Sequence, residues 1–178
     1  TVALLAKGID AFSAWDPWPI VAQKDVPGAV EVIRGGDVIS YVGYNVALRG
    51  WVEKNGATIE KFLAAVSEAD QWMRANPKQA AQVATRWIPG LRPDVAEAAM
   101  QFNVQQTDRR LSANNYRALH AAQDRLFKLG ILKQTFDVNK HIEPKHMLKV
   151  MADHPKLFSD LPPIPAAAAI GPGYVFRP

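Results

Sequence analysis

The chain contains no cysteine among its 178 residues, which excludes disulfides, thiolate metal sites and thiol nucleophiles. This absence does not indicate a compartment, because many exported bacterial proteins also lack cysteine. No apolar run reaches the length of about 18 residues that a membrane-spanning helix needs. The segment that begins at Thr1 lacks the charged start, apolar stretch and cleavage site of a signal peptide, so we expect a mature, cytoplasmic or truncated chain.

The chain also has little excess charge, since 21 basic residues are interspersed with 17 acidic ones for a net charge of +4. Aromatic side chains are not interleaved with Lys and Arg at a spacing that would stack bases, so no nucleic-acid partner is expected. Phosphate-binding loops, nucleophile elbows and nucleophile–base pairs are missing as well, which argues against an enzyme and against a cofactor. The four histidines share no helical face, so we expect no metal site.

The first fifty residues are predicted to alternate strand and helix, which indicates an α/β fold. Residues 2–7 resemble the closing turns of a helix that Gly8 ends. Pro17 and Pro19 suit the first turn of a short helix that reaches about Lys24. Apolar runs bounded by turn residues predict strands at 9–15, 29–34 and 41–48.

After residue 50 the apolar period changes to about 3.6 and the chain becomes helix-rich. We predict an amphipathic helix behind Thr58 as its N-cap, and a second helix from Asn76 and Pro77 that Pro89-Gly90 stops. Their predicted inward residues are Ile59, Phe62, Leu63, Val66, Ala69, Trp72 and Met73 in the first, and Ala80, Val83, Ala84 and Trp87 in the second.

The remaining elements are predicted from their caps and apolar spacing. A short helix covers 93–100, a short strand 102–105, a strong helix begins at Ser112 and ends at Gly130, and a last helix covers 144–152. The strong helix carries Tyr116, Leu119, Leu126 and Phe127 on one face, and the last helix carries Met147, Leu148 and Met151 inward. From 159 to 178 the composition predicts an extended Pro/Ala-rich tail.

The turn that contains Trp15, Asp16 and Trp18 is the most informative candidate site. It follows a predicted buried strand, and open α/β sheets bind ligands outside the carboxyl ends of their strands. Indoles offer flat apolar walls with one N–H donor, and an aspartate can pair with an ammonium, so this set suits a small polar organic ligand. The alternative is that the indoles are core residues and Asp16 caps the following helix.

Other polar groups could contribute to binding. Tyr44, together with Tyr41, flanks a strand that could line the same crevice, although a strand tyrosine is more often half-buried packing. Arg109 and Arg110 could bind an anion bidentately, but charged residues in a loop before a helix are usually solvated.

Several segments resemble the solute-binding proteins of bacterial ABC importers for nitrate, taurine and alkanesulfonates, a family that includes binders of thiamine pyrimidine precursors. The resemblance rests on Leu4-Leu5-Ala6-Lys7-Gly8-Ile9-Asp10-Ala11-Phe12, on Trp15-Asp16-Pro17, on the helix from Phe62 to Trp72 followed by Asn76-Pro77, and on Leu126 to Ile131. It extends over nearly the whole chain to about residue 152. Asp16 stands where the family usually has Glu.

The resemblance implies a partial lobe of the type-two periplasmic-binding-protein fold, which closes on its ligand by hinge motion. Residues 1–15 would end the second lobe and form the returning hinge strand, 16–158 would be the C-terminal part of the first lobe, and 159–178 the tail. The family's first half would be absent. The carried-over ligand-binding residues are Trp15 and Asp16, with Trp18 and Tyr44 as companions.

The functional expectation is therefore a periplasmic solute-binding component that captures a small anionic or zwitterionic solute and docks on an inner-membrane ABC permease. Further partners would be the missing N-terminal half or a second copy. One alternative is a non-binding remnant or partner-docking helical module, whose exposed apolar surface would cause oligomerisation. Another is an enzyme like the sulfinate desulfinases or a thiamine-pyrimidine synthase, whose relatives share the fold.

Overall fold

The fold is described from a computed structural model, which covers residues 1–35 and 42–178. Regular structure in these ranges is helical, with no strand assigned. The α-helices are α1 (Val2–Leu5), α2 (Trp18–Asp25), α3 (Arg49–Lys54), α4 (Gly56–Ala75), α5 (Pro77–Trp87), α6 (Pro93–Asn103), α7 (Ala113–Lys128) and α8 (Lys145–Asp153). Short 3-10 turns follow at Val104–Gln106, Val138–Lys140, Pro155–Phe158 and Ala166–Ala168.

The prediction of helices after residue 50 is confirmed, whereas residues 1–35 and 42–178 show no strand of the predicted α/β sheet. Residues 9–15, 29–34 and 42–48 form no ladder with any described segment, and position 41 lies outside the described residues. A strand needs a neighbour to hydrogen-bond with, and an apolar run cannot reveal whether that neighbour is present. The predicted strand at 102–105 is wrong, because α6 continues through Asn103 and a 3-10 turn follows it.

Several helix boundaries follow from the residues that the sequence singles out. Ser112 caps α7 as predicted, and Gly130 ends it with a φ of 71°, the left-handed conformation that glycine adopts without a Cβ penalty. The end of α1 differs from the prediction, since Lys7 rather than Gly8 has the positive φ, of 56°. The N–H of Gly8 instead donates to the carbonyl of Ala3 at 2.9 Å, which closes the last turn.

The buried face of α4 matches the predicted one only in part. Leu63 packs against the apolar cluster of Met147, Val150 and Phe158 as predicted, whereas Phe62 and Trp72 are exposed. The fully buried residues of α4 are Ser67 and Asp70. The Ser67 hydroxyl donates to the Leu63 carbonyl, and the Asp70 carboxylate pairs with an arginine, so both polar side chains are satisfied inside. Apolar periodicity alone cannot find a helix face that is buried through a polar pair.

The chain divides into two compact units. The first unit comprises Thr1–Arg34 and Trp72–Thr107. In it α5 packs against α6, where the buried Ala80 and Ala81 of one helix and Val95 and Ala96 of the other are small enough for close approach. Val83 and Trp87, predicted inward on α5, are exposed.

Helix α2 also packs against α6 in the first unit. It buries Ile20 and Ala22. Two ion pairs lie at the start of α6, from Lys24 to Asp94 at 3.1 Å and from Arg92 to Asp25 at 2.7 Å.

The second unit comprises Gly35–Gln71 and Asp108–Pro178 and contains two apolar clusters. One is centred on Tyr116, Val138 and Phe176, and the other on Met147, Val150 and Phe158. Tyr116 and Met147 are therefore inward as predicted, whereas Leu126 and Phe127 of α7 are exposed. The segment after residue 159 contributes Phe176 to the first cluster, because the Asn139 side chain bonds both the N–H and the carbonyl of Phe176.

Candidate functional site

The turn before α2 presents two indoles at the surface of the first unit. Trp15 is 74% exposed and Trp18 is 52% exposed, so neither is a core residue of this unit. The N–H of Trp18 donates to the carbonyl of Trp15 at 3.2 Å, and the Asp16–Pro17 peptide bond between them is cis. Trp15 directly precedes Asp16 and Trp18 follows it by two residues, so the turn exposes one indole on each side of Asp16 along the chain.

Asp16 does not cap α2, because Pro17 occupies the N-cap position and no side chain bonds the first turn. Its side chain is only 13% exposed and accepts a hydrogen bond of 2.8 Å from Nη1 of Arg34. Arg34 also donates from Nε and Nη2 to the two carboxylate oxygens of Glu31, at 2.8 and 2.6 Å. We call Asp16, Glu31 and Arg34 the acid–arginine cluster.

An aromatic ring of α6 supports this cluster. The Cζ atom of Arg34 lies 4.3 Å from the centroid of the Phe102 ring, within the range of a cation–π contact. The Glu31 side chain raises the pKa of Arg34 and Asp16 raises it further, so the guanidinium stays charged. The hydrogen bond from Arg34 lowers the pKa of Glu31 below its usual value. With one guanidinium and two carboxylates, the cluster carries a formal charge of −1.

Tyr44 belongs to the second unit, unlike the other three predicted ligand-binding residues. Its hydroxyl donates to the carbonyl of Asn115, in the first turn of α7, at 2.8 Å. Burial raises the pKa of Tyr44, so the phenol stays protonated and this hydrogen bond is retained at neutral pH. In this structure the Tyr44 hydroxyl proton is therefore used in a hydrogen bond to a backbone carbonyl.

The two arginines considered for anion binding are both engaged by carboxylates of the second unit. Arg109 binds Asp70 in a bidentate pair, at 2.5 and 3.0 Å, and the Asp70 side chain is 4% exposed. Arg110 binds Asp108 at 2.7 Å and the Pro162 carbonyl at 2.8 Å. Their role in this structure is to join the loop before α7 to α4 and to the segment after residue 159.

Other polar features of the described residues lie away from the turn at Trp15. Within residues 1–35 and 42–178 no three His, Asp or Glu side chains are grouped to hold a metal ion. A shallow pocket of about 240 Å³ in the second unit is lined by His120, Asp124, Asp137 and Phe176, among others.

In the part of the chain that the structure describes, no helix is both long and apolar enough to cross a membrane.

Sequence similarity to curated proteins points to bacterial binding proteins. A provisionally named aliphatic sulfonates-binding protein of Escherichia coli (strain K12) is 26% identical over 135 residues, which are 75% of this chain and 41% of that protein. Provisionally named binding proteins of Brucella abortus (strain 2308) and Brucella suis are each 26% identical over 89 residues, 48% of this chain and 28% of theirs. No family model matches the chain, and no solved structure matches it.

These comparisons support a solute-binding class at a coarse level. The chain spans less than half the length of the curated relatives it matches. The relatives are named as binding proteins, which favours a non-enzymatic role.

The sequence singles out Trp15, Asp16 and Trp18 but not the partners of Asp16. Glu31 and Arg34 both lie in the predicted strand at 29–34, and nothing in that prediction joins them to the turn. The spacing of Glu31 and Arg34 by three residues gave no signal either, because that spacing brings side chains together on a helix and residues 31–34 are not helical. Their contact with Asp16, 18 residues away from Arg34, has no signature in the sequence.

Proposed function

We propose that this chain is part of the substrate-binding component of a bacterial ABC importer, which captures a small anionic or zwitterionic solute of the sulfonate, taurine or nitrate type. The observation that carries the proposal is the similarity over 135 residues to the E. coli protein named for aliphatic sulfonates. The exposed indoles beside the acid–arginine cluster give it a binding surface. In this proposal the protein is periplasmic, non-enzymatic and delivers its solute to an inner-membrane permease.

The proposed contacts follow from the chemistry of the turn. Trp15 and Trp18 offer apolar faces to a short alkyl chain and indole N–H donors to an oxyanion. Asp16 offers an acceptor for an ammonium. Lobe closure in the longer protein would exclude water from these contacts.

The experiment is a thermal-shift panel on this chain with taurine, ethanesulfonate, nitrate, bicarbonate and a pyrimidine precursor. A ligand that binds the native state raises stability by RT ln(1 + [L]/Kd), so one compound should raise Tm in a dose-dependent manner. A flat panel from a sample that melts cooperatively would contradict solute binding by this chain.

A second candidate function, a partner-docking module, is favoured by the apolar side chains of the extended segments. Val30 and Val32 are 77% and 89% exposed, and Val46 and Leu48 are 92% and 81% exposed. Extended chains with unpaired edges accept strands from another polypeptide. The remaining length of a protein like the E. coli relative would be the source of such strands, and a second copy of this chain is the alternative source.

Sedimentation velocity of the ligand-free chain tests the second candidate. Docking through these segments predicts self-association that rises with concentration, and it predicts that Val32→Lys and Val46→Lys together return the chain to a monomer. A monomer at all concentrations, before any substitution, would contradict docking by a second copy.

A further inference from the structure

The acid–arginine cluster has guanidinium N–H donors that the turn at Trp15 alone lacks. Its three bonds to Asp16 and Glu31 use three of the five N–H donors of the Arg34 guanidinium. The other two, one on each terminal nitrogen, have no acceptor among the described residues. The Arg34 side chain is 31% exposed, so a solute can reach them.

The charges of the cluster restrict which solute can use those donors. Two carboxylates surround one guanidinium, which gives a formal charge of −1 beside the indoles. A simple oxyanion that approaches Arg34 must also approach Asp16 and Glu31, and like charges in a partly desolvated site repel. A solute that carries an ammonium next to its oxyanion removes this repulsion, because the ammonium can pair with a carboxylate.

The orientation of Arg34 is fixed from two sides. Glu31 holds the guanidinium through a bidentate pair, whose planar fork restricts the direction of the remaining donors. The Phe102 ring lies against the guanidinium, with its centroid 4.3 Å from Cζ, so a solute must approach Arg34 from a side that the ring does not occupy. These contacts hold the donors ready before a solute arrives.

We propose that the acid–arginine cluster makes the site selective for a zwitterion, with the oxyanion on Arg34 and the ammonium on Asp16 or Glu31. This inference rests on the proposed function and narrows its solute class from anions and zwitterions to amino-substituted oxyanions. Arg34 and Glu31 become specificity-determining residues in addition to the carried-over Trp15 and Asp16.

Titration calorimetry with three matched probes tests the proposal. Taurine carries both groups, ethanesulfonate lacks the ammonium, and ethylammonium lacks the sulfonate. One charge-assisted hydrogen bond gives about a tenfold preference, so taurine should bind at least about tenfold tighter than either of the others. Equal affinity for taurine and ethanesulfonate would overturn the zwitterion proposal while leaving the proposed function intact. Failure of all three probes to bind would overturn both.

Three variants test whether the preference for taurine arises from the cluster. Glu31→Gln removes one negative charge and keeps a hydrogen-bonding oxygen, so the ratio of taurine to ethanesulfonate affinity should fall by several-fold, through tighter binding of ethanesulfonate. Arg34→Gln should weaken both sulfonates, and Arg34→Lys should restore part of the affinity, because the positive charge returns without the fork.

The control is Arg92→Gln, since Arg92 forms an arginine–aspartate pair in the same unit without contact to the cluster. Its selectivity should equal that of the wild-type chain. A selectivity that changes as much in Arg92→Gln as in Glu31→Gln would overturn the assignment, because it would show a general effect of surface charge. Thermal melts of each variant check that it is folded, and Glu31→Gln carries the test if Arg34→Gln fails to fold.

Discussion

Gly56 permits a close contact with a histidine in the second unit because it has no side chain. A Cβ atom at this position would lie 2.8 Å from Cε1 of His146, closer than atoms of real side chains approach. His146 is only 8% exposed, and its Nδ1 lies 3.0 Å from the Glu60 carboxylate, so the ring has little room to move away. The first turn of α4 and the start of α8 can meet here because position 56 is glycine.

Gly56→Ala is therefore expected to destabilise the chain. Overpacking a filled site costs about 1–3 kcal/mol, which exceeds the gain of up to about 1 kcal/mol in helix propensity. The matched control is Gly50→Ala in α3, where an added Cβ meets nothing within 4 Å and the propensity gain should appear as a higher Tm. Urea unfolding of both variants measures the difference, and stabilisation by both would contradict the contact.

The pair of Glu31 with Arg34 predicts a pH dependence of stability with a definite sign. The hydrogen bond from Arg34 lowers the pKa of Glu31 from its ordinary value of 4.5. A carboxyl whose pKa is lowered by folding stabilises the native state above the unfolded value, and this contribution is lost as the pH falls through the folded value. The stability of the first unit should thus decrease below about pH 4.5 in part through Glu31.

Glu31→Gln isolates this contribution. At pH 7 the variant should melt below the wild-type chain, and the difference in Tm should shrink as the pH is lowered towards 3, because the wild-type carboxyl is then protonated too. Thermal melts at a series of pH values provide the measurement. A Tm difference that stays constant from pH 7 to pH 3 would show that the ion pair has no such role.

Among the helices, α7 begins directly after an N-cap residue that stabilises its first turn. Ser112 forms a capping box, in which its side chain accepts from the first turn and the Asn115 side chain accepts from the Ser112 N–H at 2.8 Å. By contrast, Thr58, which the sequence predicts as the cap of α4, lies inside the helix because α4 begins at Gly56. Serine and threonine are both common N-cap residues, but Ser112 caps its helix whereas Thr58 lies within one.

The two positions predict opposite effects of an alanine substitution. Ser112→Ala removes the cap and should cost about 1 kcal/mol of unfolding free energy. Thr58→Ala replaces a β-branched residue inside a helix and should be neutral or stabilise by a few tenths of a kcal/mol. Urea unfolding of the two variants measures both effects. A loss in Thr58→Ala equal to that in Ser112→Ala would mean that α4 begins later than the structure shows.

Most helices and the cap of α7 could be predicted from sequence because their signals are local. The burial of Asp70 on α4 could not, because it depends on the pair with Arg109, 39 positions away. Pairing of the extended segments could not either, since a ladder depends on a second strand that periodicity does not reveal. For the site, the exposed turn at Trp15 was predictable, while the contact of Arg34 with Asp16 needed the fold.

In the second unit, the last residues complete the larger aromatic cluster. Phe176 is 8% exposed and stacks on Tyr116 with ring centroids 6.1 Å apart, while Tyr174 meets Tyr116 edge-on at 5.1 Å. The Asn139 amide holds the backbone of Phe176 by two hydrogen bonds. Although the composition after residue 159 predicts an extended tail, these residues contribute to the stability of the unit.

Phe176→Ala should cost about 3 kcal/mol or more, because truncating a buried phenylalanine leaves a cavity beside Tyr116. The neighbouring Val175 is 60% exposed, so Val175→Ala is the matched control and should change stability by about 0.5 kcal/mol or less. Chemical denaturation of the two variants gives the comparison. Equal small losses would show that the last residues do not pack on α7 in solution.

Across the whole molecule, function depends on whether the exposed turn at Trp15 binds a solute. The similarity to a sulfonates-binding protein supports a small-molecule ligand, and the turn beside the acid–arginine cluster is the site that we propose for it. Trp87 provides a matched comparison, because it is 81% exposed in the same unit and lies outside the turn.

Titration calorimetry of taurine into the wild-type chain, Trp15→Ala and Trp87→Ala measures whether this turn binds a solute. We expect saturable binding to the wild-type chain and to Trp87→Ala, and an affinity reduced by about tenfold or more in Trp15→Ala, because an aromatic anchor of the site is removed. Unchanged affinity in a folded Trp15→Ala chain, or no heat of binding to the wild-type chain, would contradict solute binding at this turn.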